Sequence, residues 1–296
     1  MPNAVDAAFL FNHTPPPSMI TISLFVENTA RGMGVLGEHG LAWWIDTGSH
    51  RVLFDTGQGM ALTHNATRLN IDLSRTDAIV LSHGHTDHVG GLEEALALAP
   101  QATLYLHPRA IDAKFTGSDR NPRGRRISIE FVETEAFRAG GRRVVATREP
   151  VEMVPGVWTT GEVPRETDFE DTGGPFFLDE RMSQPDPLLD DQSLFLPTSK
   201  GTIVIFGCAH AGAVNTLRHI LRLTNNAPVR AIYGGLHLEN ASPRRIDETV
   251  RALRACHPHR MGFCHCTGLH AIRRLWDEFP DACMQTNAGM RMEFPD

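Results

Sequence analysis

Four metal-ligating side chains lie within six residues in the segment 83–88, which reads HGHTDH and follows an apolar, strand-like run. Side chains alternate along an extended chain, so His83 and His85 project to the same side and can bind one ion together. Asp87 and His88 follow where the chain turns towards a helix, and they can reach a second ion. Two ions about 3.5–4 Å apart can hold a bridging hydroxide and polarise a scissile bond. The segment therefore predicts a dinuclear hydrolytic site.

Imidazole and carboxylate ligands suit zinc, and also iron or manganese. Two metal shells need more ligands than one segment offers, and three later strand-like runs end in a histidine among small residues: His210, His237 and His265. Because sites in α/β proteins form at the carboxyl ends of strands, we interpret His210 and His265 as further metal ligands. The role of His237 stays open between metal binding, substrate binding and proton transfer. We predict His237 and Asp87 as the catalytic residues.

Asp55 ends the run RVLF and enters a glycine-rich turn. A carboxylate at this point can orient a metal-ligating histidine through a hydrogen bond. It can equally be a turn residue whose side chain bonds only to the local backbone. Both interpretations stay open from the sequence.

Strand-like and helix-like runs alternate on both sides of the motif. β-rich runs at 20–26, 41–46 and 51–55 precede it, and a second hairpin-like pair is expected over 193–207. Beyond that pair the order is helix, strand, helix, strand, helix, with the helices near 213–223, 243–255 and 268–278. Strands in both halves with helices between them predict two sheets that carry helices on their outer faces.

Residues 1–19 contain no Lys or Arg, have only a short apolar run, and include three consecutive prolines. We interpret them as a flexible arm and not as a signal peptide. A single folded domain is expected over 20–296. Two polar, poorly periodic stretches, 109–142 and 164–191, are expected to be loop insertions, and long loops in compact domains are often functional lids.

Composition limits the class of partner. The formal net charge is -7, whereas a general nucleic-acid-binding protein is more often basic. No run of 18 apolar residues exists, so no membrane-spanning helix is expected. Five cysteines, an odd number, argue against a disulfide framework and favour a reducing, cytoplasmic setting. We expect a small-molecule substrate and neither a nucleic-acid nor a membrane partner.

The segments 53–57 (LFDTG) and 82–92 (SHGHTDHVGGL) together resemble the metallo-β-lactamase superfamily, and the resemblance extends over most of the chain from about Ile20. The resemblance implies an αββα sandwich with a dinuclear metal site at one edge of its two sheets. The ligands that it implies are His83 and His85 for the first ion, Asp87 and His88 for the second, and His265 as the final ligand.

The chain departs from the superfamily pattern at one ligand and at the bridging carboxylate. No histidine occurs between His107 and His210, where most members have a ligand, and Cys208 stands where the bridging aspartate is expected. We interpret His210 as the replacement ligand. Cys208 either bridges the ions as a thiolate or is a small buried residue beside the site.

Five further segments point to one branch of the superfamily: 27–29, 38–41, 207–212, 234–238 and 265–268. Together they resemble the branch that includes the archaeal dihydropterin–ribofuranosylaminobenzene 5′-phosphate synthases. The resemblance is specific for the branch but not for the substrate.

Two reaction classes follow from these observations. The first is a metal-dependent hydrolase whose metal-bound hydroxide attacks a small phosphoester, ester or lactone. The alternative is a pterin-related lyase or synthase acting on a ribofuranosylaminobenzene phosphate-like substrate. Arg123, Arg125 and Arg165 lie in the two polar stretches, where they either contact a substrate phosphate or form solvated surface. The acidic balance disfavours nucleic-acid processing, and the chain has no room for the flavodoxin domain of flavin-linked iron relatives.

Overall fold

The computed structural model describes residues 19–118, 121–130 and 143–295. The strands are β1 Met19–Val26, β2 Ala42–Asp46, β3 Arg51–Phe54, β4 Ala78–Val80, β5 Thr103–Leu106, β6 Phe115–Ser118, β7 Asn121–Arg126, β8 Val144–Ala146, β9 Val151–Val154, β10 Val157–Thr159, β11 Phe176–Phe177, β12 Leu194–Thr198, β13 Gly201–Ile205, β14 Val229–Gly234, β15 Arg260–Phe263 and β16 Arg291–Pro295. The α-helices are α1 Leu62–Arg68, α2 Thr86–Val89, α3 Leu92–Leu98, α4 Ala213–Leu223, α5 Pro243–Cys256 and α6 Leu269–Glu278.

Two large sheets share one plan, in which antiparallel strands give way to parallel ones. The first sheet has the order β16-β1-β2-β3-β4-β5-β8 and is parallel from β3 onwards. The second has the order β9-β10-β12-β13-β14-β15 and is parallel from β13 onwards. Parallel neighbours need crossover connections, and helices supply most of them. The loops that follow the parallel strands therefore gather at one edge of each sheet.

The hydrophobic residues form three layers of packing. Ile22, Trp43 and Tyr233 belong to the cluster between the two sheets, where burial of each large side chain contributes about 1.5–3 kcal/mol. Leu62 and Leu96, from α1 and α3, pack on the outer face of the first sheet. The residues that cover the second sheet from α4, α5 and α6 include Leu217, Leu253 and Leu275. The order of layers is helix, sheet, sheet, helix, which confirms the predicted αββα sandwich.

The structure corrects the expectation that 109–142 is a loop. Its described part contains β6 and β7, which pair as an antiparallel hairpin, and β11 from the second polar stretch joins them as a third, small sheet. β6 and β7 are mostly polar and β11 has only two residues, so none of these strands shows the apolar alternation by which a strand can be predicted. Apart from β11, residues 164–191 form no helix or strand. Residues 119–120 and 131–142 lie outside the described residues.

The predicted arm also lies almost wholly outside the described residues, since the description begins with β1 at Met19. The predicted helix over 213–223 is confirmed as α4, and the other predicted helices differ from the observed ones by a few residues at their ends. Short strands β8, β9, β10 and β16 were not predicted. Within the described part of the chain, no helix is long and apolar enough to cross a membrane.

Candidate metal centre

The motif loop, residues 81–88, leaves the carboxyl end of β4 and is organised by a buried carboxylate. Asp55 Oδ1 accepts a hydrogen bond from the Ser82 N–H at 2.7 Å, and Asp55 Oδ2 lies 2.7 Å from His88 Nδ1. Asp55 is fully buried and has a left-handed backbone with φ +63°. The carboxylate therefore orients a motif histidine, which favours the first of the two interpretations of Asp55.

A buried ion cluster holds the same loop from the other side. The Gly84 N–H donates to Asp190 Oδ2 at 2.8 Å, and Lys114 Nζ bonds to Asp186 and Asp190 at 2.8 and 3.0 Å. A Cβ on Gly84 would lie 2.2 Å from the carbonyl oxygen of Ala110, so no other residue fits between the two histidines. The cluster ties the small third sheet to the motif.

Three histidines converge as the first donor group: His83, His85 and His210. Their ligand atoms lie within 4.8 Å of one another, and each Nε2 is buried and lacks a hydrogen-bond partner among the described residues. His83 Nδ1 lies 2.9 Å from Ser82 Oγ, and His210 Nδ1 lies 2.7 Å from the carbonyl oxygen of Thr172. A bond from Nδ1–H to a carbonyl leaves the lone pair on Nε2, which is the tautomer that a metal ligand needs.

Asp87, His88 and His265 form the second donor group, whose ligand atoms also lie within 4.8 Å. His265 Nε2 is 3.2 Å from Asp87 Oδ2 and 3.3 Å from His88 Nε2. His265 Nδ1 lies 2.9 Å from Asn28 Oδ1, so Asn28, which is outside the group, orients the His265 ring as Asp55 orients the ring of His88. His39 also approaches this group, with its Nε2 3.5 Å from Asp87 Oδ2.

Cys208 lies between the two donor groups. Its Sγ is 3.0 Å from His88 Nε2, and it joins one set of close ligand atoms with His83 and His88 and another with His265 and Cys266. Burial raises the pKa of the Cys208 thiol well above its usual value. The structure therefore places sulfur where the superfamily pattern has a carboxylate, and Cys266 is a second thiol that sequence reasoning did not place at the site.

His237 reaches the site from the loop after β14. Its ring centroid is 4.2 Å from that of His210, and its Nδ1 is buried without a partner among the described residues. Phe176 of β11 packs against two imidazole rings of the first donor group. Its ring centroid is 4.8 Å from that of His85 and 5.2 Å from that of His210. Phe176 could not be predicted from the sequence, because an aromatic residue in a polar stretch does not reveal its contacts.

The structure does not support Arg165 as a phosphate contact. Its guanidinium donates to the carbonyl oxygens of His210, Pro187 and Leu188 at 2.8, 2.6 and 3.2 Å, so Arg165 is a structural residue. Arg123 is an exposed residue whose side chain lies 3.7 Å from Glu180.

The two donor groups differ in electrostatics. Burial lowers the pKa well below the usual value for three imidazoles, those of His83, His85 and His210. Burial also opposes charge on His88, but Asp55 and Asp87 outweigh it and raise the pKa of His88 to about 9. The pKa of Asp87 is held well below its usual range, because His88 and His265 outweigh the effect of burial. Without a bound ion, the surroundings therefore disfavour charge on the imidazoles of the first group and favour it on His88 and Asp87 in the second.

These residues fit the binding of divalent metal ions. Buried polar atoms nearly always have a partner in folded proteins, yet three Nε2 atoms of one group point at one another with none among the described residues. A cation accepts lone pairs from all three at once. Imidazole, carboxylate and thiolate donors are those that zinc and iron prefer.

Comparisons with known proteins agree with this fold. A sequence profile of the metallo-beta-lactamase superfamily matches residues 36–214. A 7,8-dihydropterin-6-methyl-4-(beta-D-ribofuranosyl)-aminobenzene-5'-phosphate synthase of Methanocaldococcus jannaschii is 30% identical over 267 residues, which cover 87% of this chain and 90% of that protein. The crystal structure of Tm1679, a metal-dependent hydrolase of the beta-lactamase superfamily, has a TM-score of 0.79 at 29% identity, covering 94% of this chain and 100% of that one. Zn²⁺-bound PqqB from Methylobacterium extorquens shares the fold, with a TM-score of 0.53 at 14% identity, over 92% of this chain and 99% of that one.

Proposed function

The chain belongs to the metallo-β-lactamase superfamily, and on that premise we propose that it is a metal-dependent hydrolase of a small phosphoester, ester or lactone. One observation carries the proposal. The first donor group presents three buried imidazole nitrogens without partners among the described residues, at ring-centroid separations of 4.4 to 5.0 Å. Such an arrangement is costly unless a cation completes it.

We assign one ion to the first donor group and one to the second, with zinc as the expected metal and iron or manganese as alternatives. Two such ions polarise a scissile bond and activate water for attack on it. Cys208 lies within reach of both groups, because its Sγ is 3.0 Å from His88 Nε2 and belongs to one set of close ligand atoms with His83 and His88. The chain's own contribution is to fix the donors through Asp55, Ser82, Asn28 and the Thr172 carbonyl.

Asp87 and His237 are the proposed catalytic residues, and they lie at different sides of the site. Asp87 Oδ2 faces His265, His88 and His39, so its carboxylate can accept hydrogen bonds from these rings where the second donor group meets the exposed His39 ring. His237 Nδ1 lies beside His210 with no hydrogen-bond partner in the described part of the chain, and it can give a proton to a leaving group or take one from it.

The proposed substrate is a small molecule. Phe176 and the small third sheet form one side of the site, with Phe176 against His85, His210 and His237. An aromatic side chain at this distance excludes water and limits the space above the donors. This arrangement favours a small ligand over an extended polymer.

A second function is supported by a different observation. The synthase of Methanocaldococcus jannaschii is similar over nearly the whole of both chains, so a pterin-related synthase or lyase activity on a ribofuranosylaminobenzene phosphate-like substrate is the alternative. Both functions use the same donors. They differ in whether water or a second substrate attacks.

Metal content per chain tests the core of the proposal. We expect about two zinc or iron ions per wild-type chain by plasma mass spectrometry, and a sharp fall in His85→Ala. His259→Ala is the matched control, because His259 is exposed and outside both donor groups. Folded wild-type protein without metal, purified in the absence of chelators, would refute the metal centre.

The reaction class is tested on the metal-loaded protein. A hydrolase turns over a generic phosphodiester, ester or lactone probe, and His237→Ala slows that turnover by about 10²–10⁴-fold with metal retained. A protein with full metal that hydrolyses none of these probes, but binds a pterin in equilibrium dialysis, favours the synthase.

A further inference from the structure

Arg245, in the first turn of α5, is a buried guanidinium with an open edge. The residue is 1% exposed, and its Nη1 donates to the carboxylate and the carbonyl oxygen of Asp171 at 2.6 and 3.1 Å. Its Nε and Nη2 are also buried, and neither has a hydrogen-bond partner in the described ranges of the chain. These two nitrogens flank one edge of the guanidinium fork, the edge that binds two oxygens of a single oxyanion.

This open edge contrasts with the other cation that is buried in the described residues. Lys114 Nζ lies between two carboxylates that are themselves almost fully buried. Arg245 has one carboxylate partner, and the side chain of Asp171 is 79% exposed and therefore largely solvated. A guanidinium stays charged in proteins, so burial with two unpaired donors is unfavourable unless an anion or a polar group completes the site.

The guanidinium of Arg245 is joined to the metal centre by a single short loop, residues 171–173. Asp171 Oδ1 also accepts the Gly173 N–H at 2.8 Å, and a Cβ on Gly173 would lie 1.9 Å from the His237 ring. Between them, the carbonyl oxygen of Thr172 holds His210. The guanidinium of Arg245 is among the charges that act on His237. One loop of three residues thus connects Arg245 to a metal-ligand candidate and to the proposed proton donor.

We propose that Arg245 binds the phosphate group of the substrate through Nε and Nη2 and so anchors the substrate next to the donor groups. Arg165 is excluded from this role because it is bonded to three backbone carbonyls. The inference rests on the proposed function, since it supplies the same site with the anionic part of its substrate. A bidentate guanidinium matches the planar arrangement of two phosphate oxygens better than an ammonium does.

Calorimetric titration of the metal-loaded protein with inorganic phosphate, at constant ionic strength set by chloride, tests the proposal. We expect Arg245→Gln to weaken phosphate binding by about tenfold or more, because hydrogen bonds to charged groups are the stronger kind. Arg244→Gln is the matched control: it removes the neighbouring arginine, which is exposed and bonded to Asp168, and should leave the affinity unchanged. Equal affinity in all three proteins means that phosphate binds only at the metals, and no binding to wild type also overturns the proposal.

A second variant and a second signal guard against loss of folding. Arg245→Lys keeps the charge but lacks the two-donor edge, and we expect it to bind phosphate more weakly than wild type. In wild type the ¹⁵Nε resonance of Arg245 should shift on addition of phosphate, and an unchanged resonance contradicts the proposal.

Metal content measured on the same samples separates the two hypotheses. Full metal content with phosphate affinity that is insensitive to Arg245 removes this inference and leaves the hydrolase. If the protein contains no metal but binds phosphate in a manner that depends on Arg245, the proposed hydrolase is removed and this inference is kept.

Discussion

The two halves of the sandwich follow one topological plan but deliver their metal donors differently. The first half supplies four donors from one continuous stretch after β4, held by hydrogen bonds to Asp55 and Asp190. The second half supplies its histidines singly, each after a different parallel strand. A contiguous segment can be stabilised as one loop, whereas dispersed donors depend on the register of three strands and on contacts made by distant loops.

Backbone conformation shows the same contrast. His237 and His265 have φ values of +48° and +49°, and Ala209, just before His210, has +54°. Left-handed conformations of residues other than glycine cost roughly 1–3 kcal/mol each and persist where the surrounding structure enforces them. The second half therefore holds its donors at strained turns, and in the first half the corresponding left-handed residue is the positioning residue Asp55.

The largest expected effect comes from removing a motif donor. His83→Ala should remove the ion of the first donor group and lower turnover of a hydrolysed probe by about 10³-fold or more, because that ion supplies several kcal/mol of charge stabilisation. His265→Ala should remove the ion of the second group and spare the first. Metal content and kcat/KM, with His259→Ala as the control, check both. Loss of both ions in both variants would show that the two halves act as one cooperative unit.

The ion cluster under the motif should govern stability. Lys114→Met leaves Asp186 and Asp190 buried without their cation, and removal of one partner from a buried ion pair costs about 3–5 kcal/mol. We expect a loss of this size in the free energy of unfolding, measured by urea denaturation of the metal-loaded protein.

A charge-neutral rescue sharpens that test. Adding Asp186→Asn and Asp190→Asn to Lys114→Met removes the uncompensated charges and should restore part of the stability. A loss below about 1 kcal/mol in Lys114→Met, typical of exposed pairs, would contradict the role assigned to the cluster.

The contrast between halves also explains what the sequence could predict. The motif could be recognised in the sequence because its donors are nearly adjacent. His210, His237 and His265 could be recognised because each follows a predicted strand, and the structure brings all three to the site. Cys266, Phe176 and the Lys114 cluster were not found. Their partners are far away in the chain, for example Asp190 for Lys114, and no local period records such contacts.

The small third sheet was missed for a related reason. Its strands pair through backbone hydrogen bonds and have no buried apolar face to impose alternation, so 109–130 had the appearance of a loop. For Arg165 the sequence allows either a phosphate contact or a solvated surface position, and only the structure shows that its donors bond to carbonyl oxygens.

A smaller effect is expected from the carboxylate that positions the motif. Asp55→Asn keeps the shape of the side chain but removes the charge that faces His88, and loss of such a partner typically costs 10–100-fold in metal affinity. Chelator competition with a metal indicator measures it. Asp72→Asn is the control, because Asp72 caps an exposed 3₁₀ turn away from the site.

The smallest expected effect comes from the corresponding partner in the other half. Asn28 holds His265 through a neutral amide oxygen at 2.9 Å and is itself exposed, so in Asn28→Ala water can replace the lost bond. We expect the metal affinity to fall by less than about tenfold, below the effect at the buried Asp55. The same chelator competition decides this. An effect in Asn28→Ala as large as that in Asp55→Asn would mean that exposure does not weaken a positioning contact, and that the two halves hold their metals equally firmly despite the different delivery of their donors.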